Sequence, residues 1–534
     1  MLLLQHNSTL AEEELCIVQD FRNRSKNHLD SIRQEISILE QEIERLQTRC
    51  TVLEAQIDPR KKEVFACDVA LSPFRRLPFD ILQEIAMWCL PEKPTGQIRD
   101  APISLSQVSS GWRRAVLSML SLWSELHIHL DTRLQEDQLI RFMTQYFGRA
   151  QGRPLSLTIS VHSPKRFHLR LPALRYARQF MDWMFHRWPL ISTVRHLSIA
   201  SDYAWSDLLD IQHPAKMAML ESLVLKNSSP NCPAPRRLFA GMWLGKGLNQ
   251  VSRLQRIKLD DSVLGDNPAS LTIPWWQLTH IFLQETLPAP NWVLLLQKCT
   301  SLETGYFLVS DSFLHQSNGR QTEDHTTLRD LNVIFIETTP TSLQLLRHRC
   351  FPNVARLAIT FLEDNELAED LEQPFDLYSH YPSLSDLALF APRECPLDVP
   401  LFLQHNPSLK TLRISIQVRH YKKFFRYLTL QSSSNHDDLE SVLPQLSSLV
   451  VQISDENAAT ALTGRYRVHV ATMIRSRISR AGNSERRIHL MMSVPDIVTN
   501  EFKETLDTFQ KDGLTYRVDD YAPPLVPTID TMDF

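Results

Sequence analysis

The sequence is poor in glycine, has no long apolar run and carries little net charge. Only 13 of its 534 residues are glycine, which argues against glycine-rich phosphate-binding loops and long flexible linkers. No apolar stretch approaches the roughly 20 residues that cross a bilayer, and the net charge of −4 creates no field that attracts nucleic acid. With 43% hydrophobic and 22% charged residues, the composition is typical of a soluble, folded protein with several domains or one extended array.

Motifs that carry chemistry are also missing. The eight cysteines are scattered without a C-x-x-C pair, so we expect mostly structural thiols in a reducing compartment, the cytoplasm, the nucleus or both. Met1-Leu2-Leu3-Leu4 is too short for a signal peptide. No hydrolase or metalloprotease motif occurs, and we predict a protein that is not an enzyme, with no cofactor, no metal and no catalytic residue. His127 and His129 would share one face of a strand, and we interpret them as its polar side because a metal would need further ligands.

A heptad pattern lies near the N-terminus. Apolar side chains alternate in steps of three and four at Leu29, Ile32, Ile36, Leu39, Ile43, Leu46, Cys50, Leu53 and Ile57. The pattern predicts a coiled-coil helix over 25–58, after a weakly ordered segment over 1–24, and Asp58-Pro59 should end it. Isoleucine at most first positions and leucine at most fourth positions favour two parallel strands. The apolar stripe therefore predicts either a homodimer or packing on the chain's own body.

A small helical module follows over 72–122. Nine of the twelve residues from Phe79 to Leu90 are apolar, and such a helix must be covered on more than one side. A short helix near Leu105 and a third helix from Trp112 complete the predicted module. Three helices in about fifty residues enclose only a small core, so the surplus apolar face is a candidate docking surface for another protein.

The same segment resembles an F-box. The residues in the order and rough spacing of that family are Leu77, Pro78, Ile81, Leu82, Ile85, Leu105, Val108 and Trp112. Leu122-Trp123 is similar to the segment that follows the domain in many fungal F-box-like proteins, whereas Ser109 replaces the family's cysteine. The resemblance implies that these eight residues bind a Skp-type adaptor, although some of them must pack the module's own core.

An irregular repeat occupies the region 123–485. Alternation in 126–130 and 155–161 predicts strands with one buried face, and an apolar-x-x-apolar-x-apolar motif then recurs 24 to 37 residues apart. Its copies are Val194/Leu197/Ile199, Leu220/Leu223/Leu225, Leu254/Ile257/Leu259, Leu278/Ile281/Leu283, Leu302/Gly305/Phe307, Leu328/Leu331/Val333, Val354/Leu357/Ile359, Leu384/Leu387/Leu389, Leu409/Leu412/Ile414 and Leu446/Leu449/Val451. They resemble leucine-rich repeats, each a strand with a helical return. The predicted fold is an α/β solenoid of such repeats, which residues 486–534 close as a cap and tail.

Arginines concentrate near the C-terminus. They are Arg465, Arg467, Arg475, Arg477, Arg480, Arg486 and Arg487. Such a cluster binds an acidic or phosphorylated ligand or forms a solvated helix face, and the second interpretation is the more common one.

The resemblance implies a substrate-recognition adaptor of an SCF-type (Skp-cullin-F-box) ubiquitin ligase. The F-box-like module would dock on the Skp-type adaptor, which connects it to a cullin–RING ligase, while the repeats hold a protein substrate for ubiquitination. The alternative is a ligase-independent protein-binding scaffold that dimerises through its coiled coil. Neither reading requires nucleic acid or a membrane as a partner.

Overall fold

The computed structural model describes residues 11–72, 77–95, 100–130, 136–162, 170–203, 217–227, 248, 251–260, 273–310, 326–339, 349–362, 381–391, 399–430, 443–453, 465–480, 488–493 and 500–519. The chain divides into two compact units. The first comprises Met1–Ile85 with Gln107–Ala115, and the second comprises Ala86–Ser106 with Val116–Phe534.

The first unit is dominated by one long helix, α1 (Glu12–Leu71), of 60 residues and no buried side chain. Two predictions about it are wrong. Residues 12–24 are helical rather than weakly ordered, and Pro59 lies inside the helix instead of ending it. Proline costs about 3 kcal/mol within a helix, but the good helix formers that follow and the ion pair between Arg60 Nη1 and Glu63 Oε2 (2.7 Å) help to continue it.

Three short helices lie in the described residues of 72–122. They are α2 (Phe79–Trp88), α3 (Ile103–Val108) and α4 (Ser110–Ser118), and a 3₁₀ turn, Leu120–Trp123, follows. The sequence predicted all three helices in this order. Pro78 stands just before α2, where proline's missing N–H costs nothing, and its carbonyl accepts the first bond, from Leu82 N–H at 3.1 Å.

The second unit contains a parallel sheet of 14 strands. The strands are β1 (Glu125–Leu130), β2 (Leu155–Val161), β3 (Val194–Ser201), β4 (Ser222–Asn227), β5 (Arg256–Leu259), β6 (His280–Pro288), β7 (Thr304–Ser310), β9 (Val333–Thr338), β11 (Arg356–Phe361), β12 (Asp386–Phe390), β13 (Thr411–Ile416), β14 (Ser448–Ile453), β15 (Ile488–Ser493) and β16 (Leu514–Asp519). They are hydrogen-bonded in chain order, so each strand pairs with the next strand of this sheet. The short β8 (Thr326–Thr327) and β10 (Arg349–Cys350) pair with each other in a separate sheet.

Helices connect many of these strands, which makes the second unit an α/β structure. The described helices are α5 (Glu136–Gly148), α6 (Arg170–His186), α7 (Ala289–Lys298), α8 (Val399–Gln404), α9 (Val418–Leu428), α10 (Arg465–Arg480) and α11 (Asn500–Asp507). Parallel neighbours need such crossover connections because a tight turn can only join antiparallel strands.

The apolar repeat positions lie side by side across the sheet. Leu197 of β3 pairs with Leu223 of β4, and Ile199 pairs with Leu225. One predicted copy is displaced: Ile334 and Ile336 occupy the equivalent rows of β9, so the copy is Leu331/Ile334/Ile336 rather than Leu328/Leu331/Val333. The sequence contains two overlapping apolar triplets that both match the repeat motif. Only the strand pairing shows that Leu331/Ile334/Ile336 is the true copy.

Gly305 explains the weakest copy of the repeat. It pairs with Ile281 of β6 and Ile334 of β9, where neighbouring strands carry branched aliphatic residues. A β-carbon at Gly305 would lie 2.5 Å from the ring of Phe307. The large Phe307 ring occupies the space of two smaller side chains, and glycine is required beside it.

The opposite face of the sheet is also buried at its centre. A row of residues in register contains Phe282, Tyr306, Phe335, Ala358 and Ala388, each at most 4% exposed. These residues form one hydrophobic cluster on the face away from the repeat leucines. The strands in the middle of the sheet are therefore packed on both faces.

Candidate protein-docking surface

Helix α2 has one buried face and one exposed apolar face. Leu82 and Ala86 are buried at 6% and 0% exposure, and their spacing of four residues places them on the same side of the helix. Ile81, Ile85 and Trp88 follow a spacing of four and three on another side. Ile81 is 43% exposed, Trp88 is 82% exposed, and Ile85 is half-buried.

The eight predicted docking residues separate into three groups. Pro78, Ile81 and Val108 are exposed, and Leu77, Ile85 and Leu105 are half-buried. Leu82 and Trp112 are each only 6% exposed. Leu82 and Trp112 belong to the interior of the protein and are unsuitable as primary docking residues. The sequence alone could not separate these core residues from the surface residues.

Residues that the sequence analysis did not nominate add to the exposed apolar surface. Phe79 is 48% exposed, Met87 is 44% exposed, and Trp88 is the most exposed aromatic residue of α2. The sequence does show that this helix is apolar on nearly every side, which could have identified them. Nominating only the residues that match the F-box pattern left Phe79, Met87 and Trp88 out.

Ser109 fixes the start of α4. Its Oγ accepts a hydrogen bond from Trp112 N–H at 3.3 Å, and its carbonyl accepts one from Arg113 N–H at 2.9 Å. This is the arrangement of a helix N-cap, which satisfies backbone donors that have no partner inside the helix. Serine at position 109 therefore acts as the capping residue of α4.

The first turn of α4 lies close to α2. A β-carbon added at Gly111 would lie 4.0 Å from Leu82 Cδ1 and 3.7 Å from Ser109 Oγ, which is ordinary van der Waals contact. Leu82 and Gly111 belong to the first unit. Leu82 Cδ1 therefore lies near the first turn of the helix that carries Trp112.

Trp123 anchors the segment that follows α4. It is fully buried, and its Nε1–H donates to Val116 O at 3.0 Å. The ring of Tyr146 lies at 5.1 Å in an edge-to-face arrangement, and the Arg149 guanidinium stacks at 4.3 Å from the indole centroid. The Leu122-Trp123 segment thus has a structural role within the second unit.

The heptad stripe of α1 is a second exposed apolar surface. Leu29, Ile36, Ile43 and Leu53 are between 49% and 55% exposed, and Ile32 is 40% exposed. The stripe is therefore an exposed apolar surface of α1, and the choice between a homodimer and packing on the chain's own body stays a prediction.

Three histidines gather at the edge strand β1. The rings of His127 and His129 stack at 4.3 Å, and His162 lies 6.1 Å from His129. His127 Nε2 hydrogen-bonds Ser160 Oγ at 2.8 Å, and burial together with the charges of His129, Lys93 and His162 lowers its pKa to about 4. The His127 side chain is therefore neutral at physiological pH.

Other kinds of site receive no support in the part of the chain that the structure describes. No group of three or more His, Cys, Asp or Glu side chains there is arranged to hold a metal ion. Among the same residues, no helix combines the length and the hydropathy of a membrane span. Cys299 is buried, and burial raises the pKa of its thiol well above the usual value.

The C-terminal arginines have separate environments. Arg477 is buried and donates to Leu428 O and Leu443 O, whereas Arg475 is exposed beside the ring of Phe509, 5.7 Å away. Arg477 thus fits neither a ligand-binding nor a solvated face. Arg486 and Arg487 lie outside the described residues, as do the side chains of Arg465, Arg467 and Arg480.

Comparison with known proteins adds no relative to this description. No protein-family model matches the chain, and no curated protein matches it closely enough to indicate kinship.

Proposed function

We propose that the chain is the substrate-recognition adaptor of an SCF-type ubiquitin ligase and that the exposed face of α2 docks on a Skp-type adaptor. The observation that carries the proposal is the combination of Ile81, Ile85 and Trp88 on one side of a short helix whose other side is buried. Partly exposed apolar side chains of this kind gain free energy when a partner removes them from water. Aromatic residues among them are typical anchors of protein interfaces.

The sheet would supply the second binding function. We propose that its in-register strands form a leucine-rich-repeat-like solenoid that holds a protein substrate. Two binding surfaces on one chain raise the local concentration of a substrate near the ligase. In this mechanism the chain positions the substrate, and partner subunits perform the transfer of ubiquitin in the cytoplasm or the nucleus.

A matched pair of surface variants tests the docking. Ile81 on α2 is 43% exposed and Leu294 on α7 is 45% exposed, so Ile81→Asp and Leu294→Asp introduce the same charge at similarly exposed helix positions. We expect Ile81→Asp to abolish co-purification with the Skp-type adaptor, because a carboxylate in an apolar interface loses its hydration. Leu294→Asp should retain it.

Folding of the variants must be confirmed separately. Circular dichroism and a melting curve should show that Ile81→Asp is as stable as Leu294→Asp. Adaptor binding by a well-folded Ile81→Asp variant would contradict the proposed docking face. Absence of adaptor binding by the unaltered chain would contradict the ligase function altogether.

A ligase-independent scaffold is the second candidate function. The specific observation in its favour is that α1 exposes its apolar stripe along its whole length. A scaffold would dimerise through α1 and hold a partner protein on the sheet without a Skp-type adaptor. Affinity purification with mass spectrometry separates the two functions, because only the ligase function predicts recovery of cullin–RING subunits.

A further inference from the structure

The heptad phase continues far beyond the segment in which it is obvious. Because α1 is one helix from Glu12 to Leu71, the same steps of three and four reach Leu15 and Val18 on one side and Val64, Cys67 and Leu71 on the other. Leu15, Val18, Val64 and Leu71 are between 37% and 63% exposed, and Cys67 is exposed as well. The seam is defined as every position of this phase from Leu15 to Leu71, and its charged or polar members are Arg22, Ser25 and Arg60. It runs along almost the entire helix.

Pro59 does not interrupt this seam. Its heptad position lies two residues after Ile57, on the side away from the seam. The carbonyl that loses its hydrogen bond to Pro59 belongs to Ala55, which is exposed and open to water. The proline therefore leaves the apolar surface continuous.

We infer that α1 pairs with α1 of a second copy of this chain in the antiparallel orientation. In the register that we assign, Ile43 faces Leu46 of the partner helix, Leu39 faces Cys50, and the twofold axis passes between Ile43 and Leu46. This inference goes beyond the proposed adaptor function and does not depend on it.

Two arginines in the seam decide between the orientations. Arg22 and Arg60 occupy seam positions in the full-length helix. In a parallel, in-register pair every seam residue meets its own copy, so Arg22 would face Arg22 and Arg60 would face Arg60 across a dry contact. In the antiparallel register Arg22 faces Cys67 and Arg60 faces Leu29, and each arginine can extend its guanidinium to water.

The charges that flank the seam favour the same orientation. An antiparallel pair brings Glu42 opposite Arg49 and Arg33 opposite Glu54, both attractive, and Lys26 opposite Lys61, which is repulsive. Each contact occurs twice by symmetry. The hydrogen bond from Arg45 lowers the pKa of Glu42, so this carboxylate stays ionised.

A parallel pair has the less favourable balance. It would retain one attraction, between Arg49 and Glu54, and add two repulsions, between Glu35 and Glu40 and between Glu63 and Asp68. The preference of isoleucine and leucine for parallel pairing rests on 25–58 alone. The longer helix adds Arg22 and Arg60 to the seam and reverses the conclusion.

The contact is large enough for a stable dimer. The overlap from Val18 to Leu71 corresponds to a strip on the order of 80 Å long and about 10 Å wide. Such a strip removes on the order of 1,600 Å² from water over the two copies, above the roughly 1,000 Å² of a specific interface. A second copy is the occupant because the flanking charges of α1 complement those of α1 itself.

Cysteine crosslinking between two tagged chains tests the orientation. One chain keeps Cys50, the other carries Leu39→Cys with Cys50→Ser, and the mixture of full-length proteins is treated with a short thiol-to-thiol crosslinker. The antiparallel register predicts a crosslink from position 39 to Cys50 between unlike chains, identified by mass spectrometry of the linked peptides. A crosslink between Cys50 and Cys50 of like chains would overturn it.

A pair of helix variants tests the seam itself. Ile43→Asp places a carboxylate in the seam, whereas Ile38→Asp places one at an equally exposed apolar position outside it; the two residues are 55% and 59% exposed. By analytical ultracentrifugation we expect Ile43→Asp to weaken dimerisation about 100-fold or more, because it buries two like charges in adjacent layers of the seam beside the axis. Ile38→Asp should leave the dimer unchanged.

Three results would overturn the inference. The first is sedimentation of the unaltered chain as a monomer at micromolar concentration. The second is an Ile43→Asp variant that dimerises as well as Ile38→Asp. The third is the crosslink between Cys50 and Cys50 of like chains. A failure of Skp-type adaptor binding would not affect any of these three measurements.

Discussion

Replacement of Arg477 by methionine should loosen the contact between α9 and α10. Arg477 Nε and Nη2 donate to Leu428 O at 3.1 and 2.8 Å, and Nη1 donates to Leu443 O at 2.8 Å. Leu428 is the last residue of α9, so its carbonyl has no partner within the helix. Methionine retains most of the side-chain length and removes every donor.

The magnitude follows mainly from Leu428 O, which loses both of its donors, because Leu443 O keeps a hydrogen bond from Leu446 N–H at 3.2 Å. Leaving a buried acceptor without a hydrogen bond costs about 1–3 kcal/mol, and relief of the buried charge offsets part of that cost. We expect the opening of this region to become easier by about 1–3 kcal/mol. Arg475→Met, an exposed arginine on the same helix, should change it by less than about 1 kcal/mol.

Hydrogen exchange measured by mass spectrometry is the appropriate assay, because it reports local opening in a chain too large for a single unfolding transition. Peptides from α9 and α10 should exchange faster in Arg477→Met, with little change in β1 and β2. Equal exchange in Arg477→Met and Arg475→Met would refute the assigned role of Arg477. The same result would return this arginine to the candidates for ligand binding.

Two further predictions concern a helix cap and a buried histidine. Ser109→Ala should destabilise α4 by about 1 kcal/mol and Ser109→Asp should not, because only the alanine removes the acceptor of Trp112 N–H. Hydrogen exchange of the α4 peptides in the two variants measures the difference. His127 titrates near pH 6.5 when unfolded and near pH 4 when folded, so the unfolded state binds the extra proton and stability falls as the pH drops below about 6.5. Between pH 7 and pH 5 the local stability of β1 should therefore fall more in the unaltered chain than in His127→Gln. An equal fall in the two proteins, measured by hydrogen exchange corrected for the intrinsic effect of pH, would contradict this role of His127.

The sequence predicted the kinds of elements better than their limits. The steps of three and four in α1 and the leucine triplets of the sheet are strong signals, because each face must be buried or paired along its whole length. The end at Asp58 was predicted from a local preference of proline that the surrounding helix overrides. Polar seam residues such as Arg22 concealed the continuation of the pattern.

Burial was harder to predict than periodicity. Leu82 and Ile81 are adjacent, apolar and part of the same resemblance, yet Leu82 is 6% exposed and Ile81 is 43% exposed. Which side of α2 meets the interior depends on tertiary packing, such as the approach of Leu82 to the first turn of α4. The capping role of Ser109 was readable in principle, since serine before a helix is a common N-cap.

The double-sided packing at the centre of the sheet resists bending of its middle strands. With Phe282, Phe335 and their neighbours buried against the second face, bending the middle strands would open voids that a close-packed interior does not tolerate. Neighbouring strands are about 4.8 Å apart, so β1 and β16 are separated by on the order of 60 Å along the sheet. A protein that binds near β1 would then lie on the order of 60 Å from one that binds near β16.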